Sequence, residues 1–285
     1  MTDQKPEQTR RSLDFEIPKL EDRYLLATVN FRRFNNTKID RSANQMVKAA
    51  AKGGDGMGVY SKYLVPPEEM KPITQAYQTF MSYHYSVTAP MATGTQMLPI
   101  KLHDEHATKA QKARSDIEQA VSELVARWDG LVALAESRLG SLFAPNDYPK
   151  RDDVAQYFRF GVQYHPIAKS AQFQDIATLS EDIRADLVTQ LERHYAEQAI
   201  TATHHTIDKI VTAVGRKRVA LTPDMVEVFR ELNVADDPRL NTLLDEMERK
   251  LCAFDPDRVA GDSEYRKLYQ EQAASLESKL RGLAQ

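Results

Sequence analysis

The chain has 285 residues, 42% of them hydrophobic and 28% charged, which is typical of a globular protein with a sizeable core. Its formal net charge of −3 excludes a global attraction to nucleic acid or to acidic membranes. No apolar run approaches the roughly 20 residues that a membrane helix needs, and the polar N-terminus does not resemble a secretory signal. We therefore expect a cytoplasmic protein that does not bind membranes.

Cysteine content and charge distribution give two further constraints. Cys252 is the only cysteine, so no disulfide can form within the chain, and its apolar neighbours predict a buried, unreactive thiol. Residues 1–60 carry eleven Lys and Arg against eight Asp and Glu, whereas residues 220–262 carry five against eleven. This asymmetry either marks two differently solvated faces, which is the commoner case, or pairs one chain with the next.

The first part of the chain predicts a small sheet and a short helix. Residues 1–12 form a polar tail that we expect to be flexible. Apolar and polar residues alternate over Leu25–Phe34, which predicts a strand, and Asp40–Ala51 has the apolar face of a short helix. The glycines within residues 53–58 indicate a helix stop and a turn, because they lack the Gly-Lys-Ser/Thr ending of a phosphate-binding loop.

Extended and helical patterns alternate between residues 59 and 102. A proline pair ends the first extended piece and starts a helix that runs to about Tyr83. The extended pieces, of which the last two are separated by a turn at Gly94, are residues 59–65, 86–90 and 96–102.

Two long segments carry apolar residues at spacings of three and four, the pattern of helices that pack along one side. The first covers about 104–139 and stops at Gly140, and the second covers about 180–215 and begins at Ser180, a good N-cap. Each is about 36 residues, or roughly 54 Å, long. Their equal lengths predict a long antiparallel helical hairpin, with the aromatic block 142–167 as its connection to the sheet.

Shorter helices complete the chain. Thr222-Pro223 and Asp237-Pro238 each place a capping side chain before a proline at the first helical position, and residues 263–283 carry leucines on one side. The predicted fold is α+β and mainly α: a small antiparallel sheet, a long antiparallel helical hairpin and a helical C-terminal region. The predicted divisions are a flexible tail (1–12), the sheet plus hairpin (13–218) and the C-terminal helices (219–285).

His103 and His106 are the best candidates for a metal site, because two histidines three positions apart can share a helix face and acidic residues lie between them. A polar helix start is the commoner meaning of this pattern. No Glu-x-x-His partner, Ser-His-Asp set or Cys-His set is visible elsewhere. We therefore assign no catalytic residue, no metal and no cofactor, and nothing in the pattern supports enzymatic activity.

Aromatic and basic residues are interleaved in two segments, which suggests a site for single-stranded nucleic acid. In such sites rings stack on bases while cations hold phosphates. The alternative, which we favour, is that the aromatic residues of the second segment belong to the core, with Phe158, Phe160 and Val162 facing inward. The candidate nucleic-acid-binding residues are Arg32, Arg33, Tyr157, Arg159 and Lys169.

Four segments within about residues 25–167 resemble a known family in their order: VNFRRF, YSKYLVPPEEMKPI, SVTAPMATGTQMLPI and LFAPNDYPKRDDVAQYFRFGVQYHPI. The family consists of uncharacterised proteins of tailed phages and other mobile elements, classed by a domain of unknown function. The resemblance does not extend to the C-terminal helices. It implies a phage or mobile-element setting beside an ATPase or adhesion-type partner, and it implies no known activity.

These observations predict a non-enzymatic interaction or assembly protein. Its long helices would contact copies of the same chain or another protein through their apolar seams. The alternative is a protein that binds single-stranded nucleic acid, such as single-stranded DNA, with aromatic and basic residues on its small sheet. A metal-dependent enzyme is a third hypothesis, which requires His103 and His106 to bind a metal. If a phage encodes the chain, it acts in the host cytoplasm.

Overall fold

The computed structural model describes residues 19–51, 59–169, 180–216 and 218–283. The predicted tail over residues 1–12 and the glycine-rich loop lie outside these ranges. Within them the protein is mainly helical, with one four-stranded and one two-stranded antiparallel sheet. The predicted α+β, mainly α, fold class is therefore confirmed.

Six strands occur in the described residues: β1 (Tyr24–Arg32), β2 (Thr37–Ile39), β3 (Ser61–Tyr63), β4 (Ala89–Ala92), β5 (Thr95–Pro99) and β6 (Arg159–Pro166). The larger sheet has the order β4-β5-β1-β6, and the smaller sheet pairs β2 with β3. Leu26 of β1 lies opposite Met97 of β5. The turn between β4 and β5 contains Gly94 at a φ of +78°, a backbone conformation that glycine adopts without steric cost.

Nine α-helices occur in the described residues: α1 (Arg41–Ala51), α2 (Lys71–Ser86), α3 (His103–Leu139), α4 (Arg151–Val154), α5 (Glu181–Val214), α6 (Pro223–Glu231), α7 (Pro238–Leu251), α8 (Pro256–Gly261) and α9 (Ser263–Leu283). The side chains of Thr222, Asp237 and Asp255 accept hydrogen bonds from the first turns of α6, α7 and α8. The first two caps follow the sequence prediction. The six-residue helix α8 is too short to show a helical period and was not predicted.

The chain folds into two compact units whose segments alternate along the sequence. Of the described residues, unit 1 takes 19–28, 85–103, 163–169, 180–216 and 218–283, and unit 2 takes 29–51, 59–84 and 104–162. The two long helices contribute to different cores: α3 buries its stripe in unit 2, and α5 buries its stripe in unit 1. The apolar seam that we assigned to a helical hairpin is therefore covered, on each helix, by other elements of the same unit.

The core of unit 2 surrounds the single tryptophan of the chain. Trp128 is 1% exposed, and its Nε1 donates a hydrogen bond of 3.0 Å to the carbonyl of Pro149. Phe34 meets Trp128 edge to face, with ring centroids 5.5 Å apart. Phe31 stacks on Tyr77 at 4.1 Å. These contacts fix the end of β1 against α2 and α3, where the candidate residues Arg32 and Arg33 lie.

Unit 1 has two apolar clusters. In one of them, α9 packs against α7 and α5. Tyr269 of α9 is fully buried in this cluster, and its hydroxyl accepts a hydrogen bond from the backbone N–H of Leu221. The other cluster surrounds Tyr24, whose hydroxyl donates to the carbonyl of Glu231 at 2.6 Å. The first cluster lies along the C-terminal part of α5 and the second along its middle, where Leu191 also packs against it.

Candidate functional site

Three of the five candidate nucleic-acid-binding residues meet in unit 2. Phe34 is 6% exposed and packs its ring edge to face against Tyr157 at 5.9 Å. This contact brings the strand end that carries Arg32 and Arg33 next to Tyr157. The guanidinium of Arg32 lies 6.0 Å from the centroid of the Tyr157 ring, which is a cation–π distance.

These residues line a cavity of about 470 Å³, which we call the basic cleft. Arg32, Arg33 and Lys38 supply three positive charges, and Asp147 supplies one negative charge. Guanidinium groups bind phosphate oxygens through paired hydrogen bonds, and amide side chains can bind base edges. The cleft therefore combines the charges and the ring that a nucleotide strand requires. Its other lining residues are Phe34, Asn35, Thr37, Leu64, Asn146, Tyr148, Pro149 and Tyr157.

A buried lysine supports one wall of the basic cleft. Lys62 is 5% exposed, and its ammonium group lies 3.1 Å from Asp40 and 3.0 Å from Asp147. It also donates to the carbonyl of Leu142. Lys38 reaches the other carboxylate oxygen of Asp147 from the solvent side. This cluster was not predicted from the sequence, because a lysine in a short strand usually faces water.

The lysine–aspartate cluster shifts the pKa values of its members. Burial alone would raise the pKa of Asp147, but hydrogen bonds from Lys38 and Lys62 outweigh burial and hold this pKa below its ordinary value. Hydrogen bonds from the Ala43 backbone and from Lys62 lower the pKa of Asp40. Burial alone would lower the pKa of Lys62, but its two aspartate partners raise it. All three groups are therefore charged at neutral pH and hold the cleft wall together.

The remaining two candidates lie elsewhere. Arg159 begins β6 and lines a different cavity of unit 2, of about 490 Å³, together with Arg114 and Glu118. Lys169 belongs to unit 1 and pairs with Asp22 at 3.4 Å. The side chains that we favoured as core do belong to the apolar cluster of unit 2 or pack against it: Phe160 is a member, and Phe158 and Val162 pack on it.

The two histidines considered for metal binding have different surroundings. His106 is fully buried, and its Nε2 lies 2.9 Å from Nδ1 of His84, so one ring donates a hydrogen bond to the other. His103 lies at the start of α3, where its ring meets Tyr164 edge to face at 4.8 Å. No group of three or more His, Cys, Asp or Glu side chains suited to a metal ion occurs among the described residues. Sequence analysis did not predict the contact of His106 with His84, which lies 22 positions away along the chain.

Unit 2 also carries a set of large apolar side chains that face solvent. They belong to α1, to β2 and β3, and to the two residues immediately before β3. Only one side chain of α1 within residues 41–50, that of Ala43, is buried. We call this set the α1 face: Ile39, Met46, Val47, Val59, Tyr60 and Tyr63, which are 39–65% exposed.

Hydrogen bonds hold the α1 face in place. The carboxylate of Asp40 accepts from the backbone N–H of Ala43 at 2.9 Å and so caps α1. Asn44 binds both the N–H and the carbonyl of Tyr60, which ties α1 to the segment before β3. In the two-stranded sheet Lys38 lies opposite Lys62, so Ile39 and Tyr63 project from the other side of the sheet.

The first four turns of α5 contain one large apolar side chain that is open to solvent, that of Ile183. We call residues 181–194 the acidic arm, because they contain four Asp and Glu and two Arg. No side chain in this range is buried, and Ile183 is 51% exposed. Leu187 and Leu191 follow Ile183 at intervals of four; both are half-buried, and Leu191 packs against the apolar cluster around Tyr24.

Among the described residues, no helix combines the length and the apolar character needed to cross a membrane. No protein-family model, curated protein or solved structure matches the chain.

Proposed function

We propose that the protein is a non-enzymatic assembly protein that associates with copies of itself through the α1 face. The observation that supports this proposal is the exposure of six large apolar side chains within one small part of unit 2. Folded monomers seldom expose large contiguous apolar patches, which mark interaction surfaces. Full burial of an exposed side chain of this size contributes roughly 1.5–3 kcal/mol, so covering one of these half-exposed side chains contributes about half of that. A phage or mobile-element origin and a cytoplasmic location stay predictions.

Two features make the α1 face suited to binding a partner. The hydrogen bonds of Asp40 and Asn44 fix its geometry before a partner arrives, so little conformational entropy is lost on association. Met46 and Val47 are neighbours on α1 and are 63% and 54% exposed, so a partner can cover both side chains at once. The α1 face thus replaces the helical seams that we expected to serve this role.

We expect Val47→Glu to weaken self-association by about tenfold or more, because a carboxylate would have to be desolvated at a contact that gains from burying valine. Sedimentation velocity over a wide concentration range measures the effect. The wild-type mass should rise with concentration, and the variant should remain monomeric over the same range.

Gln45→Glu is the matched control for this experiment. It adds the same charge to the same helix at an exposed position on the opposite side of α1. It should associate like the wild type. A wild-type protein that stays monomeric at all concentrations, or equal behaviour of the two variants, would overturn the proposal.

Binding of single-stranded nucleic acid in the basic cleft is the second candidate function. The observation that favours it is the position of Arg32 over the Tyr157 ring, with Arg33 lining the same cleft. A guanidinium and a ring in this arrangement form a platform on which a base can stack while a phosphate is held nearby. The local surplus of positive charge supports this function only at low ionic strength, because phosphate contacts weaken steeply with salt.

We expect Arg32→Ala to reduce the affinity for a labelled single-stranded oligonucleotide by about tenfold or more, since a stacked base contributes roughly 1–3 kcal/mol. Fluorescence polarisation at low salt measures the affinity. Arg159→Ala removes the same charge outside the cleft and serves as the control. If the wild type does not bind, or if both variants bind as it does, the cleft is not a nucleic-acid site.

A further inference from the structure

We propose that Lys209, on α5, is a modification site whose side-chain amine takes an acyl group from a thioester, while His205 accepts the proton that the amine releases. Three groups surround the amine: the imidazole of His205 and the backbone carbonyls of Tyr85 and Thr88. All of these residues belong to unit 1. Both proposed functions use surfaces of unit 2, so this site is independent of them.

The amine of Lys209 lies between the interior of unit 1 and its surface. The residue is half-buried, and its Nζ donates hydrogen bonds of 2.5 Å to the carbonyl of Tyr85 and to that of Thr88. Thr88 is fully buried, whereas Tyr85 is 52% exposed. A reagent in solution can therefore reach the amine from the side of Tyr85.

Lys209 lacks the partner that usually keeps a lysine charged. Among the described residues it forms no ion pair with a carboxylate. Removing an ammonium group from water without a counter-ion disfavours its charged form, and burial accordingly lowers the pKa of Lys209 to about 8. A neutral amine retains two N–H groups, which match the two carbonyls, and its lone pair is then free to attack a carbonyl carbon.

His205 lies one turn before Lys209 on the same side of α5, because residues four positions apart on a helix are neighbours. Burial and the positive charge of Lys209 lower the pKa of His205, and the charge of Asp208 opposes this effect only in part. The imidazole is therefore neutral at pH 7 and can accept a proton. His205 is also exposed, so it can pass this proton to water.

Acyl transfer at this site is a simple substitution at the thioester carbonyl. The lone pair of the Lys209 amine attacks the carbonyl carbon, so that a C–N bond forms and the C–S bond breaks. The amine gives one proton to His205, and the thiolate that leaves takes up a proton from the imidazolium or from water. The products are an amide on Lys209 and a free thiol. The amide has no charge and a single N–H, so one of the two hydrogen bonds to Tyr85 and Thr88 is lost.

Incubation of the protein with acetyl coenzyme A, an acetyl thioester, tests this inference. At pH 7 a pKa of about 8 leaves about a tenth of the amine neutral, against about 0.04% for an ordinary lysine. Part of this advantage is lost, because nucleophilicity falls with pKa, as it does for thiols. We therefore expect Lys209 to be acetylated about tenfold faster than Lys267, an exposed lysine on α9. Mass spectrometry of peptides measures both rates in the same sample.

The pH dependence of the rate and two histidine variants complete the test. The rate at Lys209 should level off above about pH 9, where its amine is almost entirely neutral. His205→Ala should slow acetylation of Lys209 severalfold, because the nearby proton acceptor is lost. His204→Ala, at an exposed position on another side of α5, is the control and should react like the wild type. Equal rates at Lys209 and Lys267, a rate at Lys209 that still rises steeply above pH 9, or equal rates in the two variants would overturn the inference.

Discussion

Trp128→Ala is expected to lower the free energy of unfolding by about 3–5 kcal/mol, the usual cost of removing a large aromatic side chain from a core. Trp128 is 1% exposed, packs on Phe34 and donates a hydrogen bond to Pro149. The alanine variant loses these contacts, leaves a cavity and deprives the Pro149 carbonyl of its donor. Chemical denaturation followed by far-ultraviolet circular dichroism measures the change, because the variant has no tryptophan fluorescence.

Leu134→Ala provides the control on the same helix. Leu134 is 37% exposed, so its removal should cost much less than that of Trp128. Trp128→Phe should give an intermediate value, because it keeps an aromatic ring and loses the hydrogen bond to Pro149. Equal losses for Trp128→Ala and Leu134→Ala would show that Trp128 is not central to the core of unit 2.

Lys62→Met is the second substitution with a large expected effect. It should lower the free energy of unfolding by about 2–3 kcal/mol, because Asp40 and Asp147 keep their charges and lose the cation between them. This loss is smaller than is usual when one partner of a buried ion pair is removed, because Lys38 and solvent still reach Asp147. Lys38→Met is the control: its side chain is 51% exposed, so its loss should cost less than about 1 kcal/mol.

The pH dependence of stability tests the same cluster. The pKa values of Asp40 and Asp147 are lowered in the folded protein, so both carboxylates stabilise the fold above their ordinary pKa of about 3.9. This contribution disappears as the pH falls through the lowered pKa values. The stability of Lys62→Met should therefore fall less steeply than that of the wild type between about pH 5 and pH 2. Parallel curves would contradict the assigned ion pairs.

Local patterns predicted the elements well because caps and periodicity act over a few residues. Proline after Thr222 and after Asp237 located two helix starts, and alternation located β1. The grouping of the long helices into different units was not predictable in this way. A stripe of apolar residues indicates which side of a helix is buried, but it does not indicate which element covers that side.

The candidate site was predictable only in part. Arg32, Arg33 and Tyr157 come together because the buried ring of Phe34 joins their segments. Sequence analysis did not single out Lys62, because the burial of its charge depends on Asp40 and Asp147, which are both distant from it along the chain. Met46 and Val47 were assigned with Ala43 to one apolar helix face, and the structure buries Ala43 but leaves Met46 and Val47 exposed. The pattern alone does not distinguish a core-facing helix from a helix that awaits a partner.

The alternation of the two units along the chain determines the order in which they can fold during synthesis. Every residue of unit 2 is translated before residue 163, whereas unit 1 still lacks its last 123 residues at that point. At about 5–20 residues per second, these residues take roughly 6–25 s to translate. Unit 2, with the α1 face on its surface, can therefore fold on the ribosome while helices α6 to α9 of unit 1 are still being translated.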